Sequence, residues 1–208
     1  MNDIYVQYGC GWSAPKGWLN YDSSPTLRFE RIPILGRMYT KNSERFPNNV
    51  VYGDILKSLP LMDQDVRGLY CSHVLEHLTL NDLRVALRES YRVLSVKGTF
   101  RMVVPDLEYF IDNYNESTST MAAINFLRGT GLGVENKGSG LIDFIKSMYG
   151  NSQHLWMWDY KSLKEELKKT GFVEIRRAQY GDSSDVRFNE VESKERWDNC
   201  LGIECKKK

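Results

Sequence analysis

The chain has 208 residues, 41% of them hydrophobic, which is enough for one domain whose core needs no disulfide or metal support. Its 28 Lys+Arg against 27 Asp+Glu give a formal net charge of +1, so no global signature of nucleic-acid binding is present and no such partner is expected. No run approaches the roughly 20 apolar residues of a membrane span.

The start of the chain, "MNDIYVQYGCGW", has no basic n-region and no long apolar stretch, so no signal peptide is read and a cytoplasmic protein is expected. Cys10, Cys71, Cys200 and Cys205 form no C-x-x-C pair. Cys10 and Cys71 lie in apolar strand-like runs and are expected to be buried, reduced thiols.

Strand and helix signals alternate along the chain. "IYVQY" (4–8) is a first strand, closed by Gly9-Cys10-Gly11. "GWLNYD" (17–22) and "NVVYGDI" (49–55) follow, ending near Asp22 and Asp54. "VRGLYCS" (66–72) is a fourth. Next, Leu80, Leu83, Leu87, Tyr91 and Leu94 recur at three- and four-residue steps, which predicts a helix with one apolar face. Thr79 and Asp82 resemble a capping box at its start, and Gly98 is expected to stop it.

"GTFRMVV" (98–104) reads as a fifth strand, stopped by Pro105-Asp106. A helix over 107–114 and an apolar run over 121–127 precede "GTGLGVENKGSG" (129–140), which is read as a surface loop or a mobile cover. A helix over 160–170 carries Leu163 and Leu167 inward and ends at Gly171. Strands over 172–180 and 200–206 complete the count, and Lys206-Lys207-Lys208 reads as a solvated basic tail. Alternating elements predict a Rossmann-like, doubly wound α/β fold with a mostly parallel seven-stranded sheet. The chain is read as a single domain, 1–208, with 107–158 as a helical and loop insertion after strand five.

"CSHVLEHL" (71–78) contains H-x-x-E-H, a spacing used by one class of zinc protease. That chemistry needs both histidines on one helix. Here the helix is predicted to begin only at Leu80, which leaves His73–His77 in a strand-to-helix turn. No metal is therefore expected, and a metal-dependent hydrolase using His73, Glu76 and His77 stands as the lesser alternative.

In open α/β sheets, ligands bind beyond the carboxyl ends of the strands. The residues gathering there are Gly9-Cys10-Gly11, Asp22, Asp54-Ile55, Ser72-His73 and Pro105-Asp106. Two glycines let the backbone turn sharply and approach a ligand. An acid after the second strand suits the two hydroxyls of a ribose. Asp54 can accept from an adenine amino group, while the Ile55 N–H donates to a ring nitrogen. The set asks for an adenosine. It lacks the third glycine and the helix N-terminus that a diphosphate would require.

On these stretches the sequence resembles the class I S-adenosylmethionine-dependent methyltransferases of the type-11 group. The matching pieces are "VQYGCG", "NYDSSP", "GDILKSLP", "CSHVLEHL", "ESYRVLSVKGTFRMVVPD" and "HLWMWDYKSLKEELKKTGFVEI". The resemblance implies S-adenosylmethionine as cofactor. It implies Gly9, Cys10 and Gly11 beside the methionine part, Asp22 at the ribose, Asp54 and Ile55 at the adenine, and Ser72 and His73 near the sulfonium.

The sequence departs from the family in three places. Only "WSAPKG" separates Gly11 from the second strand, where a full helix is usual, so the first crossover is shortened. Gln7 replaces the usual acid, and Val96-Lys97-Gly98 the usual Pro-Gly-Gly. His73 and His154 are the candidate catalytic residues, each against a bland structural reading. Asp106 reads as a helix cap.

Arg28, Arg31, Arg37, Lys41 and Arg45 form a basic cluster that reads as a solvated face or as a handle for an anionic acceptor. Tyr160 and Lys164 mimic a dehydrogenase pair without the nicotinamide site it would need. The expected activity is methylation, at oxygen or nitrogen, of a small-molecule or glycan-like acceptor. The alternative from another class is a non-catalytic module that binds an adenosyl ligand, which the shortened crossover favours.

Overall fold

The computed structural model describes residues 3–34, 36, 44–135 and 153–208. Seven strands form one sheet: β1 (Ile4–Tyr8), β2 (Leu19–Asp22), β3 (Val50–Tyr52), β4 (Val66–Ser72), β5 (Leu94–Pro105), β6 (Phe172–Ala178) and β7 (Cys200–Lys207). Their spatial order is β3-β2-β1-β4-β5-β7-β6. Strands β1 to β5 pair in parallel, and β7 runs antiparallel to both its neighbours. The expected Rossmann-like α/β architecture is present, and β7 is the one reversed strand.

Side chains alternate between two cores, as the period of two along a strand requires. Val6, Tyr8, Leu69, Cys71, Phe100, Met102 and Ile203 face a core shared with α2 (Leu80–Val93) and α5 (Tyr160–Thr170). Leu83, Ala86 and Leu87 of α2 and Leu163 and Leu167 of α5 are fully buried there, each leucine contributing about 1.5–3 kcal/mol of burial free energy. The helix α2 starts where the sequence places it, with Thr79 Oγ1 accepting the Asp82 N–H at 3.2 Å. The start of α5 is capped by Asp159, and left-handed Gly171 ends it.

The neighbouring strand residues, Tyr5, Tyr70 and Val103, face the other way. With Trp18 they meet Phe188, Val191 and Trp197 of the β6–β7 connection. This connection, 179–199, holds two short 3-10 turns, Val186–Glu190 and Lys194–Arg196. It lies where a crossover helix would otherwise cover the sheet. Sequence reading assigned no role to it.

A third, smaller core joins Cys10 to Leu27, Phe46 and Val50. Leu27 belongs to α1 (Pro25–Glu30), a helix the sequence reading missed. Its signals were local: Pro25 in the first turn, and Ser24 Oγ accepting the Thr26 N–H.

Two further expectations need correction. Helix α2 stops at Val93, and Leu94 is already extended, so Gly98 is no helix stop. The pairing of β4 with β5 slips here, Val66 opposing Leu94 but Gly68 opposing Thr99. A Cβ on Gly98 would lie 2.8 Å from the Ser95 carbonyl and 3.0 Å from that of Val66, so glycine serves a close backbone approach at the irregularity. The lysine tail is not simply solvated either. Strand β7 runs through Lys207, which is buried with its ammonium 4.7 Å from the Tyr91 ring centre.

Helices α3 (Leu107–Glu116) and α4 (Ala122–Gly129) follow β5. Asp106 caps α3, its carboxylate accepting the Glu108 N–H at 3.0 Å. Residues 136–140 of the glycine-rich stretch read as a surface loop or cover, together with 141–152, lie outside the described residues, as do Arg37 and Lys41. Within the basic cluster, Arg31 donates to the carbonyls of Pro47 and Val50, and Arg28 lies over the Tyr52 ring. The Tyr160 hydroxyl donates to the Ile175 carbonyl, with Lys164 over its ring, so this pair is structural.

Candidate cofactor site

The parallel registers bring the predicted turn residues to one edge. Tyr8 pairs with Tyr21, and Asp22 with Tyr52, so Gly9, Asp22 and the turn before Asp54 follow at adjacent strand ends. Ser72 ends β4 on the far side of β1.

The shortened crossover rests on a network of polar contacts. Gln7 is 2% exposed; its Nε2 donates to the Ser13 carbonyl and to Asn20 Oδ1, both at 2.6 Å. Asn20 Nδ2 in turn donates to the Trp18 carbonyl at 3.0 Å. An amide at position 7 can clasp the short loop in a way that an acid, which only accepts, could not. The Cys10 N–H donates to the Tyr21 carbonyl at 3.1 Å. The Cys10 side chain points into the third core, where burial and the nearby Asp22 charge push its thiol up to about 12. From the other side, Arg187 donates to the Gly17 carbonyl at 3.0 Å.

Gly9 and Gly11 both take the left-handed conformation, φ 63° and 55°. They need it for different reasons. A Cβ on Gly9 would strike the Val74 side chain at 2.3 Å, whereas a Cβ on Gly11 would meet nothing within 4 Å. Gly9 makes room for the post-β4 turn. Gly11 borders open space.

Asp22 is held at both oxygens, Oδ2 accepting the Gly11 N–H at 2.9 Å and Oδ1 the Ser24 N–H at 2.8 Å. Each oxygen keeps a lone pair for a further donor. Asp54 Oδ1 accepts the Leu56 N–H at 3.0 Å, with Lys57 Nζ 3.3 Å from Oδ2. The Ile55 side chain is buried in the main core, leaving its backbone as the part able to meet a ligand.

Ser72 and His73 are gripped by the β6–β7 connection. Arg196 donates to Ser72 Oγ at 3.0 Å and to the Ser72 carbonyl at 2.6 Å. His73 is left-handed at φ 55°, with Nε2 3.0 Å from the Arg196 carbonyl and Nδ1 3.3 Å from Glu76 Oε1. Burial alone would lower the His73 pKa, but the Cys200 thiol, Glu76 and the Arg196 carbonyl outweigh it and raise it to about 10. Arg196 and Val74 are site neighbours that sequence reasoning did not find, since neither stands in a motif.

The turn after His73 is 3-10 over Leu75–His77, and α2 begins at Leu80. His73 and His77 therefore do not share a helix, as the sequence predicted. His154 comes to this turn from the segment before α5. The Leu155 and Trp156 N–H groups both donate to the Glu76 carbonyl, at 2.8 and 3.0 Å. His154, read from the sequence as a substrate-pocket candidate, thus meets the post-β4 turn.

Such a sheet order, with the last strand reversed, is that of a class I methyltransferase-like fold. Residues 6–102 match the family model described as "Methyltransferase domain". The chain is similar, at 15% identity and a TM-score of 0.51, to an S-adenosylmethionine-dependent methyltransferase from Archaeoglobus fulgidus, over 99% of this chain and 86% of that one. It is similar, at 15% identity and a TM-score of 0.50, to a Thermotoga maritima methyltransferase described as a possible histamine N-methyltransferase, over 100% and 84%. A Haemonchus contortus phosphoethanolamine N-methyltransferase bound to S-adenosylhomocysteine is similar at 12% identity and a TM-score of 0.50, over 100% of this chain and 49% of that one. No curated protein matches the sequence closely enough to count as a relative.

Residues 6–102 thus match a methyltransferase domain, the solved structures share the fold of the whole chain, and the Archaeoglobus fulgidus neighbour is S-adenosylmethionine-dependent, which makes S-adenosylmethionine the cofactor to test against the site. The residues present fit that group: space is open at Gly11, and Asp22 beside it is fixed with acceptor capacity to spare. No helix among the described residues is long and apolar enough to cross a membrane.

Proposed function

We propose that the chain methylates a small-molecule or glycan-like acceptor, at oxygen or nitrogen. The contact between the Gly11 N–H and Asp22 carries the reading, because it fixes an acid beside open space at the strand ends. In this assignment the Gly9, Cys10 and Gly11 backbone lines the methionine part, and Asp22 accepts the ribose hydroxyls. Asp54 and the Ile55 N–H take the adenine, and Ser72 and His73 border the sulfonium end. When bound, the cofactor supplies an electrophilic methyl on a charged sulfur. The chain's own contribution is alignment, which can carry much of the rate of an in-line displacement.

His73 Nε2 is engaged by the Arg196 carbonyl and Nδ1 lies 3.3 Å from Glu76 Oε1, so we assign it to positioning. His154 keeps Nε2 free of hydrogen bonds to the described residues and is the acceptor-side candidate. The segment 107–158 would form the acceptor-side cover. The support found beneath the glycine loop weakens the case for a non-catalytic module.

Calorimetry with S-adenosylhomocysteine tests the cofactor assignment. Binding by the native chain that is lost in Asp22→Ala is expected, and a folded protein that binds none would refute it. A screen of hydroxyl and amine metabolites with labelled cofactor then identifies the acceptor.

A further inference from the structure

The Glu76 side chain is 0% exposed, and neither of its carboxylate oxygens has a hydrogen-bond partner among the described residues. Burying a carboxylate costs several kcal/mol unless something positive meets it, and at one oxygen the His73 imidazole, 3.3 Å from Oε1, does so without a hydrogen bond. Two further imidazoles stand beside it. The rings of His77 and His154 pack edge to face, with centres 4.9 Å apart.

Their tautomers follow from their partners. His154 Nδ1 lies 2.7 Å from the Thr130 carbonyl, and His77 Nδ1 3.1 Å from the Gln153 carbonyl. A carbonyl only accepts, so each Nδ1 carries the hydrogen and each neutral ring presents its lone pair at Nε2. His154 Nε2 is 4.0 Å from Glu76 Oε1. Space for the His154 ring is made by left-handed Gly131, where a Cβ would come within 2.8 Å of Nδ1. Ligand atoms of Glu76, His77 and His154 all lie within 4.8 Å of one another.

Three electron-pair donors thus converge. His73 Nδ1, 3.3 Å from Glu76 Oε1 without a hydrogen bond, leaves Oε2 with no hydrogen-bond partner among the described residues. Protein ligands commonly hold a metal in this way, with the distal ring nitrogen fixed by a backbone carbonyl. We propose that Glu76, His77 and His154 form a divalent-metal site of the borderline class typified by Zn2+. Two imidazoles and one carboxylate suit Zn2+ and its neighbours, whereas Mg2+ and Ca2+ favour all-oxygen sets.

Small rotamer movements would bring the donors to the ~2.0–2.2 Å bond lengths of such an ion. Three protein ligands leave at least one position open for water or a ligand atom. The site is distinct from the H-x-x-E-H arrangement weighed in the sequence, because His73 turns to Arg196 and His154 takes its place. It revises the sequence expectation of no metal, and with a metal bound His154 Nε2 is its ligand, so the acceptor would meet the ion's open position rather than the imidazole.

The test uses the full chain, stripped with chelator and checked for S-adenosylhomocysteine binding in the same sample. Zn2+ is titrated by competition with a chromogenic chelator, and Co2+ by visible absorption. One equivalent of Zn2+ is expected, together with a Co2+ d–d band. Affinity should fall at least about 10-fold in His77→Ala and in His154→Ala, while both variants keep their melting temperature within a few degrees and still bind S-adenosylhomocysteine. Glu76→Gln should behave alike if it folds, and the two histidine variants decide the matter if it does not. No stoichiometric Zn2+ binding, or Zn2+ binding unchanged in both histidine variants, would overturn the site. Loss of S-adenosylhomocysteine binding in the native chain would instead count against the cofactor reading.

Discussion

The Gly11 N–H donates to Asp22 Oδ2 at 2.9 Å, fastening the turn after β1 to the acid at the end of β2. The second oxygen takes the Ser24 N–H at 2.8 Å, so the start of α1 is tied to the same carboxylate. Asp22→Asn keeps the size but sets an amide NH2 against one of these two donors. Unfolding free energy should fall by about 1–2 kcal/mol. Affinity for S-adenosylhomocysteine should drop by ~10-fold or more, since about 1.4 kcal/mol is one decade. Urea titration and calorimetry read the two effects. Unchanged affinity would place the ribose elsewhere.

The two glycines of the loop should respond differently to alanine. Gly11→Ala meets only the left-handed backbone cost of about 1–2 kcal/mol, because a Cβ there touches nothing. Gly9→Ala adds a collision with Val74 and should destabilise more. Adding Val74→Ala should recover part of the Gly9→Ala loss and none of the Gly11→Ala loss, a comparison that a double-mutant cycle makes directly. Equal recovery in both backgrounds would contradict the geometry.

Local signals carried much of the fold. The run "IYVQY" is β1, "VRGLYCS" is β4, and Asp159 with Gly171 brackets α5, because these segments have clear ends and a single hydrophobic period. Gly98 was misread because a glycine after an apolar helix signals a stop in sequence, while here its use is a close approach to the carbonyls of Ser95 and Val66. Gln7 was visible as a departure from the family, but its partner Asn20 was not, since that pair exists only across two strands. Arg196 is further still from its targets, 124 residues from Ser72. The convergence of His77 and His154 on Glu76 is of the same kind, a tertiary fact without a local pattern.

Arg101 should be the most sensitive polar residue on the far face of the sheet. Its side chain is 0% exposed, pairs with Glu192 through Nε, and sends Nη1 to Asp182 at 2.9 Å and Glu204 at 3.1 Å. Its guanidinium also lies 4.7 Å from the Trp197 ring centre. Arg101→Met would leave the buried Glu192 unpaired and should cost about 3–5 kcal/mol, the usual range for breaking one side of a buried pair. A loss below about 1 kcal/mol in urea unfolding would mean that the network is not maintained in solution.

Acid should attack the same network. Burial alone would raise the Asp182 pKa, but Arg176, the Gln179 N–H and Arg101 outweigh it and hold the carboxylate at about 2, against an ordinary 3.8. A carboxylate depressed in the folded state stabilises fully above its unfolded pKa and loses that contribution as pH falls toward the folded one. Stability should therefore decline between about pH 4 and pH 2. In Asp182→Asn the decline over that window should be shallower, as followed by thermal melts across the range.

The β6–β7 connection also governs when this protein can finish assembling. Tyr5 hydrogen-bonds Asp185 across 180 positions of chain, and Trp18 meets Glu190 across 172. Contacts of such long range are slow to form, because the intervening chain must be organised first. On the ribosome, the aromatic flank of β1 and β4 stays bare until the β6–β7 connection has emerged. The short loop after the glycine turn, held at Gly17 by Arg187, therefore gains that support only from a stretch made long after it.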